Sequence, residues 1–264
     1  MPSDLKRYIN GTDIPISASE IARLREHDML NDNNVNRILR DLFVHFDTLD
    51  ALSAASDVFV LNSTFLDVLT ARGTALRDAR GQRVDRFSMI IPRAQEIALT
   101  WNLNILRKRY ICIVTRMAGA QWMLYIVVTP FAPSECKDPL LLVLDSCNHT
   151  LRGTQAFHSA NLRALCAFFG EYARERGASA GITFDGWHRG HKLVRVPAET
   201  PGSLFSGMHV CLYVSRFCAA GEVARAEMIR RAIDDEADAA ENTLFPDITP
   251  EIVDKAYDEI ARAQ

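Results

Sequence analysis

The stretch Gln121-Trp122-Met123-Leu124-Tyr125-Ile126-Val127-Val128-Thr129 is apolar, partly β-branched, and bounded by small residues on one side and prolines on the other. Runs of this length and composition favour a strand buried on both faces. Two similar runs flank it, Tyr110 to Thr115 and Leu140 to Asp145, across Ala118-Gly119-Ala120 and across Pro130 to Pro139. Three adjacent core strands are therefore predicted, with further short strands at Asp57 to Leu61 and Lys192 to Val196.

Helices are expected around these strands. Val35, Ile38, Leu39, Leu42, Phe43 and Phe46 recur at steps of three and four behind capping Asn and Asp residues, which predicts an amphipathic helix starting after Leu30. Asn62 to Ala71 reads as a second helix or helical turn, Gly73 to Arg86 as a polar loop, and Ala94 to Trp101 as a short helix. The segment from His158 to Arg176 places Leu162, Leu165, Cys166, Phe169 and Tyr172 on one face. After a loop from Pro197 to Phe205, a helix from Ser206 buries Val210, Cys211, Val214 and Phe217 and runs on toward Asn242; Thr249-Pro250 then restarts a helix.

With 264 residues, 48% hydrophobic and 24% charged, the chain can bury a full core. A net charge of -3 gives no general attraction to nucleic acid or anionic lipid, so both are disfavoured as partners. No apolar run approaches the roughly 20 residues of a membrane span. The six cysteines form no Cys-x-x-Cys pair and no metal or other cofactor is expected; with no leader sequence at Met1, an intracellular setting, cytoplasm or nucleus, is anticipated.

Three local patterns, in order, resemble those of the SUMO/ubiquitin-like protein protease family, a branch of the papain-like cysteine proteases related to adenovirus protease. Met29-Leu30-Asn31-Asp32 resembles the family's Trp-Leu-Asn-Asp opening of its first helix, with methionine in the tryptophan place. Gln121-Trp122-Met123-Leu124 and Leu144-Asp145-Ser146 resemble its His-Trp-x-Leu strand and the Asp-Ser ending the next one. Val196-Pro197 followed by Phe205-Ser206-Gly207-Met208-His209-Val210-Cys211 is similar to the Pro-Gln loop and the Asp-Cys-Gly turn that opens the nucleophile helix. Asn62-Ser63-Thr64-Phe65 and Trp101 also match in place.

The resemblance implies an α+β, papain-like fold of the SUMO-protease type: a central mixed β-sheet flanked by helices, with a helical C-terminal extension. The implied organisation is an N-terminal arm at 1–27, a protease-like domain at 28–220 and a C-terminal tail at 221–264. It also implies where the chemistry should be. In the family a cysteine at a helix N-terminus is held as thiolate by the helix dipole and a neighbouring imidazole. Here the nucleophile place holds Ser206 and the base place Gln121, whose amide accepts no proton, while Asp145 keeps the position that would orient a base.

The family's oxyanion glutamine is met by a stretch containing Glu199, and the acid before the nucleophile by Phe205. Four changes around one site suggest natural degeneration, and the expectation is a chain that is not an enzyme: a pseudoprotease serving as an interaction or structural module. Trp122, Glu199, Phe205 and Gly207 would line its cleft. The implied partners are a ubiquitin-like protein, a capsid or another assembly component, and because such proteases also occur in viruses, a virion setting is implied by resemblance alone.

The rival expectation is an active protease of ubiquitin-like conjugates or a viral polyprotein, using Ser206 or a displaced cysteine. Cys211 beside His209, Cys147 beside His149, and His188 with His191 are the other pairings considered, and core packing or a polar loop accounts more simply for each. Arg107-Lys108-Arg109 reads as a solvated edge.

Overall fold

The computed structural model describes residues 17–48, 57–70, 86–100, 105–117, 121–129, 139–146, 155–176, 184, 191–194, 196–197, 205–233 and 243–263. Several expectations lie outside these: the 73–86 loop, Trp101, Cys136, Cys147, His149, His188, Glu199 and the acidic run at 234–241. So do the side chains of Leu42, Phe43 and Phe46.

Five strands form one mixed sheet in the order of the sequence: β1 (Val58–Leu61), β2 (Tyr110–Arg116), β3 (Trp122–Val128), β4 (Leu140–Leu144) and β5 (Lys192–Val194). The central pairs β2/β3 and β3/β4 are antiparallel; β1 and β5 join the outer edges in parallel. The three predicted core strands are thus adjacent, and the predicted α+β class holds.

Both faces of the sheet are covered, which explains why β2, β3 and β4 are apolar nearly throughout instead of alternating with polar residues. Even-numbered positions of β3, Trp122, Leu124, Ile126 and Val128, enter one core; odd ones, Met123, Tyr125 and Val127, enter another. The second core is closed by α3 (Phe65–Thr70), α4 (Ile90–Thr100) and α5 (Gln155–Glu175). The first is closed by α1 (Ala18–Arg25), α2 (Asp32–Thr48), α6 (Ser206–Ala219), α7 (Glu222–Ile233) and α8 (Pro250–Ala263).

α1 was not anticipated, although its signature is in the sequence. Ser17 accepts from the Glu20 amide while the Glu20 carboxylate accepts from the Ser17 amide at 2.8 Å, a capping box that satisfies two otherwise orphaned donors. Glu20 also receives Asn31 and Asn33, which ties the start of α2 to α1; against the opposing effect of burial, the Ser17 amide first and then these side chains hold its carboxyl below the usual range. Leu24 of α1 and Val253, Tyr257 and Ala261 of α8 lie in the same core as Trp122. Packing therefore runs continuously across the boundaries drawn at residues 27 and 220.

The helix from Ser206 does not continue toward Asn242 as expected. It stops at Ala219, and α7 begins at Glu222 after Ala220-Gly221. The break is stabilised by Arg225, which is fully buried: its Nη1 donates to the carbonyls of Cys218 and Ala220, and its guanidinium lies over the Tyr110 ring at 5.4 Å from the centroid. Carbonyls left open by the end of α6 are thus capped by a cation, the charge that a helix C-terminus favours. Nearby, Arg109 bonds Glu222 and stands 3.7 Å from Asp57, so this member of the basic triplet is paired in the structure.

Replacing Arg225 with Met would keep most of the volume and leave those carbonyls without their charged donor. Urea unfolding of Arg225→Met should show a loss of about 2 to 3 kcal/mol, with an unchanged denaturant slope if the native fold is kept.

Candidate functional site

The site is assembled where the N-terminus of α6 meets the start of β3. Trp122 is fully buried, and three groups converge on it. Its backbone N–H donates to Ser206 Oγ at 3.2 Å, its indole Nε1–H donates to the Leu30 carbonyl at 3.2 Å, and Gly207 packs on the ring. A Cβ at Gly207 would stand 3.1 Å from Leu30 Cβ and from Trp122 Cδ1 and Nε1, so only glycine lets the helix come this close.

The three positions singled out from the sequence lie at one end of the sheet. Gln121 immediately precedes β3, Asp145 immediately follows the antiparallel β4, whose Leu144 pairs with Leu124, and Ser206 is the first residue of α6. Ser206 is buried; Gln121, Asp145, Phe205 and Met29 are partly exposed around it. Burial holds the Tyr125 phenol well above its ordinary value, the Asn161 hydrogen bond opposes this, and the charge of Asp145 adds to the rise, so that carboxylate is felt one strand away. On the rim, Arg116 at the end of β2 lies 3.5 Å from Asp32, which accepts from Ser63 Oγ at 2.7 Å. Asn36 holds the same corner, donating to Asn62 and accepting from the Ser63 amide.

The displaced nucleophiles can be judged where the structure describes them. Cys211 is buried and its thiol is pushed far above its usual value by desolvation, so it is inert as a thiolate source. Cys218 is pushed up to about 12 for the same reason. His209 is only 4% exposed, and burial lowers it to about 4, so it is neutral at physiological pH. Its Nδ1 lies 3.4 Å from the hydroxyl of Tyr213, which donates to the Pro197 carbonyl at 3.1 Å. His209 thus serves the packing between α6 and the segment after β5. The C-terminal helix was missed as a contributor: Tyr257 of α8 packs 5.7 Å from Phe205, the residue before Ser206, and donates to the Asp28 carbonyl at 3.2 Å. The spacing of Val253, Tyr257 and Ala261 was the available signal.

Among the described residues no cluster of His, Cys, Asp and Glu could hold a metal, and no helix is long and apolar enough to cross a membrane. No protein-family model matches the sequence, and no curated protein matches it either. Solved structures do. A de-sumoylating protease superposes with a TM-score of 0.60 at 18% identity, covering 94% of this chain and 81% of its own. The C-terminal Ulp1 protease domain, solved with SMT3, the yeast ortholog of SUMO, gives 0.46 at 16% identity, covering 83% of this chain and 85% of its own. The Xanthomonas campestris effector XopD, solved bound to ubiquitin, gives 0.45 at 13% identity, covering 88% and 91%.

The chain therefore has a SUMO-protease-like fold, as the motifs implied. The same likeness overturns the expectation that it is not an enzyme: the fold it matches over almost its whole length is that of a de-sumoylating protease.

Two measurements probe the site's construction. Gly207→Ala should cost about 1 to 3 kcal/mol, because the buried indole that the new methyl meets is pinned by its own hydrogen bond. His209 sets a pH dependence. The unfolded imidazole gains a proton near 6.5 and the folded one only near 4, so stability is lost as pH falls between them, by about 3 kcal/mol. His209→Phe should remove that part of the acid sensitivity in denaturation curves taken across the interval.

Proposed function

We propose that this chain recognises a ubiquitin-like protein at the Ser206 end of the sheet, the partner's extended tail lying along the partly exposed surface of Met29, Gln121, Asp145 and Phe205. The observation that carries this reading is the convergence of Ser206, Gly207 and Leu30 on Trp122, within motifs that resemble the family's while Met29, Gln121, Ser206 and Phe205 depart from its residues. The likeness to a de-sumoylating protease supports it. A partly exposed surface that combines apolar and polar side chains suits an extended peptide, whose backbone supplies hydrogen bonds.

Cleavage of the bound partner's conjugates is the second reading, favoured by the position of the Ser206 hydroxyl. At the first position of a 14-residue helix it sits where the dipole stabilises developing negative charge. Ser206 Oγ accepts the Trp122 N–H and still has its own proton to give, which attack of Oγ on an acyl carbon would have to pass to a base. The virion and capsid settings have no observation in their favour.

Titrating the chain with SUMO and with ubiquitin by calorimetry should give a Kd of about 1 to 100 μM for one of them. Gln121→Arg, which sets a long cation on that partly exposed surface, should weaken binding at least about tenfold. C-terminal fluorogenic derivatives of both proteins read hydrolysis in the same preparation. Turnover abolished by Ser206→Ala assigns the nucleophile, and the recognition proposal is sunk if neither protein binds and neither derivative is turned over.

A further inference from the structure

α1 closes with a Schellman motif: the Asp28 amide donates to the Arg23 carbonyl at 2.9 Å and the His27 amide to the Leu24 carbonyl at 3.4 Å. The residue after the cap must then take the left-handed conformation, and His27 does so with φ 50°. Glycine fills this position without strain, whereas a side chain there crowds the following carbonyl. A strained residue points to what its side chain does.

The His27 ring is held between two carboxylates one turn apart on α8. Nδ1 lies 3.2 Å from Asp254 Oδ1 and Nε2 lies 3.1 Å from Asp258 Oδ1, with the ring stacked on Tyr257 at 4.9 Å. Ionised carboxylates only accept hydrogen bonds. Both contacts are therefore made as hydrogen bonds when the ring carries an N–H on each nitrogen, that is, as imidazolium; a neutral ring sets a lone pair against one of the two anions.

We propose that His27 is a pH-dependent clasp that fastens α8 onto the segment joining α1 to α2. It is closed while the imidazole holds its second proton and the two aspartates are ionised, and it loosens as rising pH removes that proton. Among the described residues, several neighbouring charged groups have partners of their own, Arg25 and Glu26 beside it being the exceptions. On its own segment Asp28 pairs with Arg23; on α8 Lys255 pairs with Glu259, and Arg262 donates to the Asp258 carbonyl. The ring's charge balance is accordingly set by Asp254 and Asp258, with Tyr257 as the stacking surface.

The clasp has a route to the site. Tyr257 stands between His27 and Phe205, and the segment it fastens ends in Leu30, whose carbonyl receives the Trp122 indole. Loosening α8 therefore slackens the wall beside Ser206, whatever partner that wall serves. The proposal does not depend on the recognition of a ubiquitin-like protein.

Amide exchange on the full chain tests it. With intrinsic rates corrected, exchange in 18–35 and 250–263 should quicken about two- to tenfold from about pH 6 to about pH 8. In His27→Asn, which keeps a residue tolerant of the left-handed conformation, the same segments should show no pH step, and Asp254→Asn with Asp258→Asn should behave likewise. An equal step in wild type and His27→Asn overturns the clasp. Ring nitrogen chemical shifts of wild-type His27 supply a measurement free of substitutions: both nitrogens protonated at about pH 6 supports the clasp, and a neutral ring there overturns it.

Discussion

The structure depends on the burial of Trp122. One side chain of this size removes on the order of 200 Å² from water, and it does so at the single point where a strand, a helix start and an incoming loop meet. Its polar atoms would be costly in that setting without partners. The indole nitrogen is satisfied by Leu30 and the backbone amide by Ser206, so the requirement to hydrogen-bond a buried ring also fixes the places of the α1–α2 segment and of α6. Gly207 follows from the same requirement, since the helix must approach to van der Waals contact for the ring to be covered.

From that point the architecture extends by alternation. Successive residues of β3 face opposite cores, so the strand that carries Trp122 into one core delivers Tyr125 into the other, where Asn161 of α5 meets its hydroxyl. Among the described residues, the charged ones that are buried, Glu20 and Arg225, occur at helix ends, where backbone donors or acceptors lack intrahelical partners. Their placement is governed by the backbone's hydrogen-bonding needs, and it joins the elements at both ends of the chain to the sheet.

Much of this was legible in the residues. Continuous apolar runs gave the three central strands, and three- and four-residue spacing gave α2, α5 and α6; the grouping of Gln121, Asp145 and Ser206 came from the resemblance alone, and these residues lie at one end of the sheet. What escaped notice was non-local or context-bound. The break after Ala219 depends on Arg225 reaching back to two carbonyls, which no helical periodicity encodes. α8 reads from the sequence only as part of a C-terminal tail, since contact between Tyr257 and Phe205 joins residues far apart in sequence. Inactivity was read from residue types at single positions, whereas the fold they occupy is that of a de-sumoylating protease.

The packing of Tyr257 against Asp28 and Phe205 has a consequence for how the chain is made. During vectorial synthesis, the sheet and α6 emerge long before the segment that completes their first core. Until Pro250–Ala263 clears the ribosome, the apolar surface around Leu24 and Phe205 lacks the last helix that covers it. The nascent chain therefore passes through an interval in which its strands are all present and one face stays wet, a state that recruits chaperones and invites association with its neighbours.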